Sequence, residues 1–207
     1  MSLVIKDLIF GYPPANKRIF DGFSLSVGEG DILAVLGKSG CGKSTLLRII
    51  SGLEEGSQGS IRVGGMVFQD ETTFVPVEKR NIGFVFQDYA LFPFMIVEQN
   101  IRFGMKKHNP DLMDYLLGLT QLEGLAKRYP HELSGGQQQR AALARTLASK
   151  PTLLLMDEPF SSLDSDLVDE LRRDLKEIIK SQKITTVIVT HNVKDAEYLA
   201  DRIVRLE

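Results

Sequence analysis

Disulfides are the first thing this sequence rules out, because its 207 residues contain a single cysteine and no tryptophan. One thiol cannot pair internally, so stability must come from a packed core, and 43% hydrophobic residues are ample for one. A lone cysteine also fits a reducing compartment. No apolar run approaches the roughly 20 residues of a membrane-spanning helix, so any work at a membrane needs another chain to supply the span. The opening MSLVIKDLIF lacks the basic start and cleavage site of a secretory signal. Charge of one sign is missing as well. The balance of 25 Lys and Arg against 27 Asp and Glu leaves −2, which gives no electrostatic case for nucleic-acid binding. Lys106-Lys107 and Arg172-Arg173 read as solvated helix faces, and His108 and His131 have no companions at metal-ligand spacing. Repeats and low-complexity tracts are absent.

What is present is concentrated in a few short motifs. Residues 37–45 read GKSGCGKST and satisfy G-x-x-x-x-G-K-[ST] through Gly37, Gly42, Lys43 and Ser44. DILAVLG before them suits a buried parallel strand, and STLLRIISGL after them predicts a helix ending at Gly52. In such a loop the backbone N–H groups wrap a phosphate, the lysine reaches the β- and γ-phosphates, and the serine hydroxyl is placed for Mg²⁺. Gly37, Lys38, Ser39, Gly40, Cys41, Gly42, Lys43, Ser44 and Thr45 are therefore candidate nucleotide contacts. Cys41 occupies a variable position as a small tolerated side chain, and its alkylation is expected to block the loop by bulk.

Further candidates fit the same reaction. The run Thr152–Met156 ends in Asp157-Glu158-Pro159, and a carboxylate at the C-terminal end of a parallel strand faces the ligand crevice of an open α/β sheet. Asp157 is then positioned for Mg²⁺, and Glu158 for accepting a proton from, or orienting, the water that attacks the γ-phosphate. Gln87 closes IGFVF, where its amide reaches both Mg²⁺ and that water. His191 ends TTVIVT at another strand edge, within reach of the γ-phosphate, and Tyr12 in FGYPP offers a ring to stack on a base. Taken singly, a glutamine, histidine or tyrosine in such a place is more often structural; beside the phosphate loop they form a set.

A second helix start also has the character of an anion site. In LSGGQQQR, residues 133–140, Ser134 is an N-cap and Gly135 and Gly136 let a ligand approach free N–H groups, with AALARTLAS continuing the helix. One chain thus carries two phosphate-binding helix starts. Around these motifs, 1–30 and 57–86 read as short strands of a mainly antiparallel sheet, and 31–56 with 152–207 alternate strand and helix as a parallel core does. Residues 88–150 are helical, with Asn109-Pro110-Asp111 starting DLMDYLLGL. Ser165 caps a helix whose Leu167, Leu171, Leu175 and Ile178 repeat at helical spacing. The cluster Tyr89–Met95 reads as packing of the helical insert against the core.

Together the motifs resemble, in order and spacing, the ATP-binding subunit of an ATP-binding-cassette (ABC) transporter. The resemblance runs through adenine-loop Tyr12, Walker A 37–45, Gln87 of the Q-loop, signature 133–140 and Walker B 153–157. It continues in catalytic Glu158, the D-loop Ser161-Ser162-Leu163-Asp164 and switch His191. It implies one α/β domain, 1–207, of the P-loop NTPase (RecA-like) class. A parallel-sheet core and an N-terminal antiparallel β subdomain would occupy 1–87 and 152–207, and an inserted α-helical signature subdomain 88–151, with no C-terminal regulatory domain. ATP and Mg²⁺ would be the ligands. Two copies would pack head to tail, with Lys43, Ser44, Gln87, Asp157, Glu158 and His191 acting in cis. Ser134, Gly135, Gly136 and Gln137 would act on the γ-phosphate held by the other copy, and Asp164 would communicate across the interface. That arrangement accounts for the second helix start.

The resemblance also implies a cytoplasmic protein, peripheral on the inner face of the cell membrane. Its partners would be transmembrane permease subunits, partly through the cluster after Gln87, and indirectly a substrate-binding protein, but no nucleic acid. RNIGFVFQDYALFP, LSGGQQQRAALART and MDEPFSSLD resemble the ATPases of bacterial binding-protein-dependent importers for ferric iron, polyamines, sugars, thiamine or oxyanions. DEPFSSLD leans toward the ferric-iron and thiamine groups, so ferric iron or another small solute is the expected cargo. The alternatives are an exporter or lipoprotein-release ATPase, which the Q-loop neighbourhood disfavours, and a soluble ABC ATPase acting on nucleic acid or ribosomes. The second would bring coiled-coil interruptions or tandem cassettes, and neither is here. A nucleotide sensor without turnover is opposed by Glu158 and His191.

Overall fold

Alternation of buried and exposed residues makes β1 (Leu3–Phe10) and β2 (Phe20–Val27) half-buried strands, whereas ILAVL, apolar throughout, is buried along all of β3 (Ile32–Leu36). The computed structural model describes residues 2–13, 18–161 and 165–206. Helix α1 (Lys43–Ser51) follows β3 and stops where Gly52 adopts a left-handed φ of 83°. Strands β4 (Gln58–Val63), β5 (Met66–Gln69) and β6 (Ile82–Val85) lead to helices α2 (Val97–Phe103), α3 (Pro110–Leu119) and α4 (Gly135–Ala148). Then come β7 (Leu153–Asp157), α5 (Ser165–Gln182), β8 (Thr185–Thr190), α6 (Val193–Leu199) and β9 (Arg202–Arg205). Asn109 caps α3 with Pro110 at its first position, as expected. The Ser165 cap falls at the border of the undescribed segment 162–164.

Two sheets form: an antiparallel one in the order β2-β1-β4-β5 and a parallel one in the order β6-β7-β8-β3-β9. The parallel core and antiparallel subdomain therefore match the expected class. One boundary does not, because β6, read as part of the antiparallel region 57–86, pairs parallel with β7 and belongs to the core sheet. Its IGFV sequence is too short to carry a direction; only the crossover through the helical insert makes it parallel.

Both faces of the parallel sheet are covered. Leu153, Leu155, Val187 and Val189 pack on the side of α1 and the antiparallel sheet, while Leu154, Met156 and Ile188 pack against the helical insert. This period-two split explains why these strands read as unbroken apolar runs. Arg80, 1% exposed, fastens α1 to the antiparallel unit by donating to the carbonyls of Ile49 (3.0 Å), Ile50 (2.8 Å) and Val75 (2.7 Å). Burial lowers its pKa to about 10, so it stays charged at neutral pH and complements the negative end of the α1 dipole. Parallel pairing aligns the strand ends: Leu36 lies opposite Thr190, and Asp157 opposite Val189. The phosphate loop, Asp157-Glu158 and His191 consequently leave the sheet from one edge.

Candidate nucleotide site

The phosphate loop is shaped by its glycines. Gly40 and Gly42 hold φ of 82° and 103°, and a Cβ on Gly37 would lie 2.5 Å from the Cys41 sulfur and 2.8 Å from the Leu206 carbonyl. Gly42 is the N-cap of α1 and has no side chain to cap it, so the first N–H groups of that helix are left for an anion. Lys43, buried, folds back to donate to the carbonyls of Gly37 (2.9 Å) and Lys38 (3.1 Å). Its Nζ is also 3.4 Å from Glu158 Oε1.

Glu158 sits at a left-handed φ of 46°, unusual for a glutamate and a form of backbone strain found at working sites. Its other carboxylate oxygen is 2.7 Å from His191 Nδ1 and accepts the His191 N–H at 3.4 Å. The carboxylate thus lies between a lysine from the loop and a histidine from the end of β8, with its own N–H fixed to Val189 O at 2.9 Å. Beside it, Ser44 Oγ donates to Asp157 Oδ1 at 3.0 Å. Burial raises the Asp157 pKa, opposed by the Ser44 hydrogen bond and reinforced by the nearby Glu158 charge. A half-buried carboxylate, a hydroxyl and a nearby carboxamide are oxygen donors that suit Mg²⁺. The amide comes from Gln87, which lines a hollow of about 600 Å³ with Asp157, Tyr89 and Gln138.

Other expected residues are placed elsewhere. Tyr12 donates its hydroxyl to Glu54 Oε2 at 2.9 Å and meets the ring of Phe10 edge-on, beyond the C-terminal end of α1. Ser134 caps α4, accepting from Gln137 N at 3.4 Å, and the Gln137 side chain accepts from Ser134 N at 3.0 Å. Among the described residues nothing accepts from the N–H groups of Gly135 and Gly136, and no hydrogen bond or ion pair joins this helix start to Lys43, Ser44, Asp157, Glu158 or His191. Asp164 lies outside the described residues, as do Ser162 and Leu163 of the same motif. Among the described residues no cluster of histidine, cysteine or acidic side chains forms a further metal site, and no helix is long and apolar enough to cross a membrane.

Some contacts around the site gave no sequence signal. Arg145 of α4 donates to the carbonyls of Ala90 (2.6 Å) and Tyr89 (3.0 Å), tying the signature helix to the segment after Gln87. Gln138 holds Pro130 O (3.1 Å) and Leu133 O (3.2 Å) just ahead of Ser134. Arg172, expected on a solvated face, is buried against Asp195. The aromatic cluster divides: Tyr89 is buried as packing predicts, whereas Phe94 stands 71% exposed.

Cys41 shares a hollow of about 800 Å³ with Gly37, Lys38, Ser39 and His191. Alkylation by N-ethylmaleimide should therefore abolish ATP binding by filling the loop, and bound ATP should slow the reaction at least tenfold, roughly as site occupancy dictates. Unchanged ATP affinity after complete alkylation, read by equilibrium dialysis, is the contrary result.

A strand–loop–helix with free helix N–H groups, and a carboxylate pair leaving the same sheet edge at the end of β7, define a P-loop nucleotide-binding domain. The chain belongs to the ABC transporter family, whose description "ABC transporter" matches residues 20–161. It is 48% identical over 212 residues to the sulfate/thiosulfate import ATP-binding protein CysA of Synechocystis, covering 99% of this chain and 58% of that one. It is also 48% identical over 191 residues to CysA 2 of Agrobacterium fabrum, covering 88% and 55%. The chain thus spans little more than half the length of these curated relatives. Among solved structures it resembles cbiO1 from Clostridium perfringens, described as part of the ABC transporter complex cbiONQ, with TM-score 0.87, 30% identity and coverage of 99% and 84%. It also resembles the ATP-binding cassette MJ0796 in a dimeric post-hydrolysis state bound to ADP and Pi, with TM-score 0.81, 29% identity and coverage of 99% and 94%. Where DEPFSSLD leaned toward ferric iron, the two relatives named above carry sulfate and thiosulfate in their names.

Proposed function

We propose that this chain is the ATP-hydrolysing subunit of an importer for a small oxyanion, sulfate or thiosulfate, working as a head-to-tail dimer on permease subunits at the inner face of the cell membrane. The observation that carries the hydrolytic part is the Glu158 carboxylate, held 3.4 Å from Lys43 Nζ and 2.7 Å from His191 Nδ1 beside an uncapped helix start. Lys43 and the first N–H groups of α1 bind the phosphates. Glu158 orients water and accepts its proton, and His191 steadies that carboxylate and reaches the γ-phosphate. Ser44, Asp157 and Gln87 would hold Mg²⁺, which supplies charge neutralisation on the phosphate oxygens. The free N–H groups of Gly135 and Gly136, with Ser134 and Gln137, complete the site of the second copy, and Asp164 communicates across that interface. Tyr12 would take the base only after its hydroxyl leaves Glu54 Oε2, which it holds at 2.9 Å. The cargo is supported by the names of relatives matched over nearly the whole chain.

If one copy holds only half of each site, phosphate release should rise with close to the square of enzyme concentration at low protein and become linear when the dimer saturates. A strictly linear dependence down to nanomolar enzyme would refute the shared site. The cargo is tested by restored sulfate uptake in cells lacking their own sulfate-import ATP-binding subunit; uptake of ferric iron without sulfate would refute it.

A further inference from the structure

Behind His191 lies a buried ion pair that the hydrolytic reading does not use. Arg172 of α5 and Asp195 of α6 have side-chain exposures of 8% and 5%. Arg172 directs Nε (2.7 Å) and Nη2 to the same Asp195 oxygen, Oδ1, and Nη1 to Asp169 Oδ1 at 2.5 Å. Two donors on one oxygen leave Oδ2 for another partner. That partner is Thr190, whose hydroxyl donates to Oδ2 at 3.3 Å.

The direction of this bond settles the next one. With its hydrogen committed to Asp195, the Thr190 oxygen presents a lone pair, and it accepts the N–H of Asn192 at 3.0 Å. The Thr190 carbonyl meanwhile accepts from Gly37 N at 3.3 Å, the first residue of the phosphate loop. Thr190 and Asn192 flank His191 on both sides, so the chain of bonds fixes the backbone that carries the imidazole. Arg172 also lies 5.9 Å from the ring centre of Phe160, a buried residue two beyond Glu158. One guanidinium therefore touches the segments leaving both strand ends that meet at the Glu158–His191 contact.

Burying such a pair is expensive compared with apolar packing. We propose that Arg172, through Asp195 and Thr190, is a positioning residue that sets His191 against Glu158. The inference rests on the hydrolytic reading above and adds residues that touch neither nucleotide nor water.

Removing Arg172 strands Asp195 in the interior and risks the fold, so the decisive variant is Thr190→Val, which deletes only the relay hydroxyl. Thr190→Val should lower kcat roughly tenfold with KM for ATP within about twofold, and Thr190→Ser should restore it, because sub-ångström misplacement acts on the transition state. Arg172→Met combined with Thr190→Val should be no slower than the worse single variant, since both break one chain. Wild-type kcat in Thr190→Val, or losses that multiply, would overturn the proposal.

Native-state amide exchange gives a reading independent of turnover. Exchange of the Asn192 N–H should rise at least about tenfold in Thr190→Val and Arg172→Met while the β8 amides keep their protection. Uniform loss of protection across α5, α6 and β8 would instead mark a purely structural pair and overturn the relay. If the wild-type protein hydrolyses no ATP, the hydrolytic reading falls, and the exchange result still decides whether the relay fixes His191.

Discussion

Glu158→Gln should bind ATP at least as tightly as wild type while hydrolysing it about 10²–10⁴-fold more slowly, the usual contribution of a positioned general base. The side chain keeps its shape, and a carboxamide oxygen can still face His191 at the 2.7 Å now spanned by the carboxylate. What disappears is the basic oxygen that takes the proton. The ion pair of 3.4 Å to Lys43 also disappears, and this frees the ammonium for phosphate. Affinity therefore holds or improves as turnover collapses. In the proposed dimer the uncleaved γ-phosphate stays between two surfaces, so the variant should sediment as a dimer with ATP and as a monomer with ADP. Normal turnover in Glu158→Gln, measured as phosphate release, would remove Glu158 from its role.

Lys43→Ala should act on the other side of the equation, weakening ATP binding by about 100-fold if two charge-assisted contacts of about 1.5 kcal/mol each are lost. The loop itself suffers too. Lys43 satisfies the carbonyls of Gly37 and Lys38 and neutralises Glu158, and alanine leaves all three without that partner. Equilibrium binding of a fluorescent ATP analogue measures the loss, with circular dichroism to confirm folding. Affinity within threefold of wild type would show that the helix N–H groups hold the phosphates unaided.

Much of this is legible in the sequence. The parallel strands were readable because both sheet faces are covered, so Leu153–Met156 and Val187–Val189 are unbroken apolar runs. Gly42, Lys43 and Ser44 were readable because a phosphate loop constrains residue type at each step. Asp157, Glu158 and His191 followed from their places at strand ends, and the register confirms that they share an edge. The direction of β6 was not readable, since four residues carry no trace of which strand they pair with. Arg172 was misread for a related reason. A basic pair on a helix looks solvated, and only the fold brings Asp195, 23 positions away, into contact with it. Tyr12 contacts Glu54, a pairing that no local pattern announces.

The two bonds from Arg145 to the carbonyls of Tyr89 and Ala90 have a kinematic consequence. They splice the stretch that follows Gln87 onto the helix that begins at Ser134, so the two form one lever. In the proposed dimer, a ligand that pulls Gln87 toward Asp157 in one copy also swings that copy's Ser134, Gly135 and Gly136 toward the nucleotide opposite. Each site then gears the completion of the other, and the expected signature is ATP occupancy with a Hill coefficient above one.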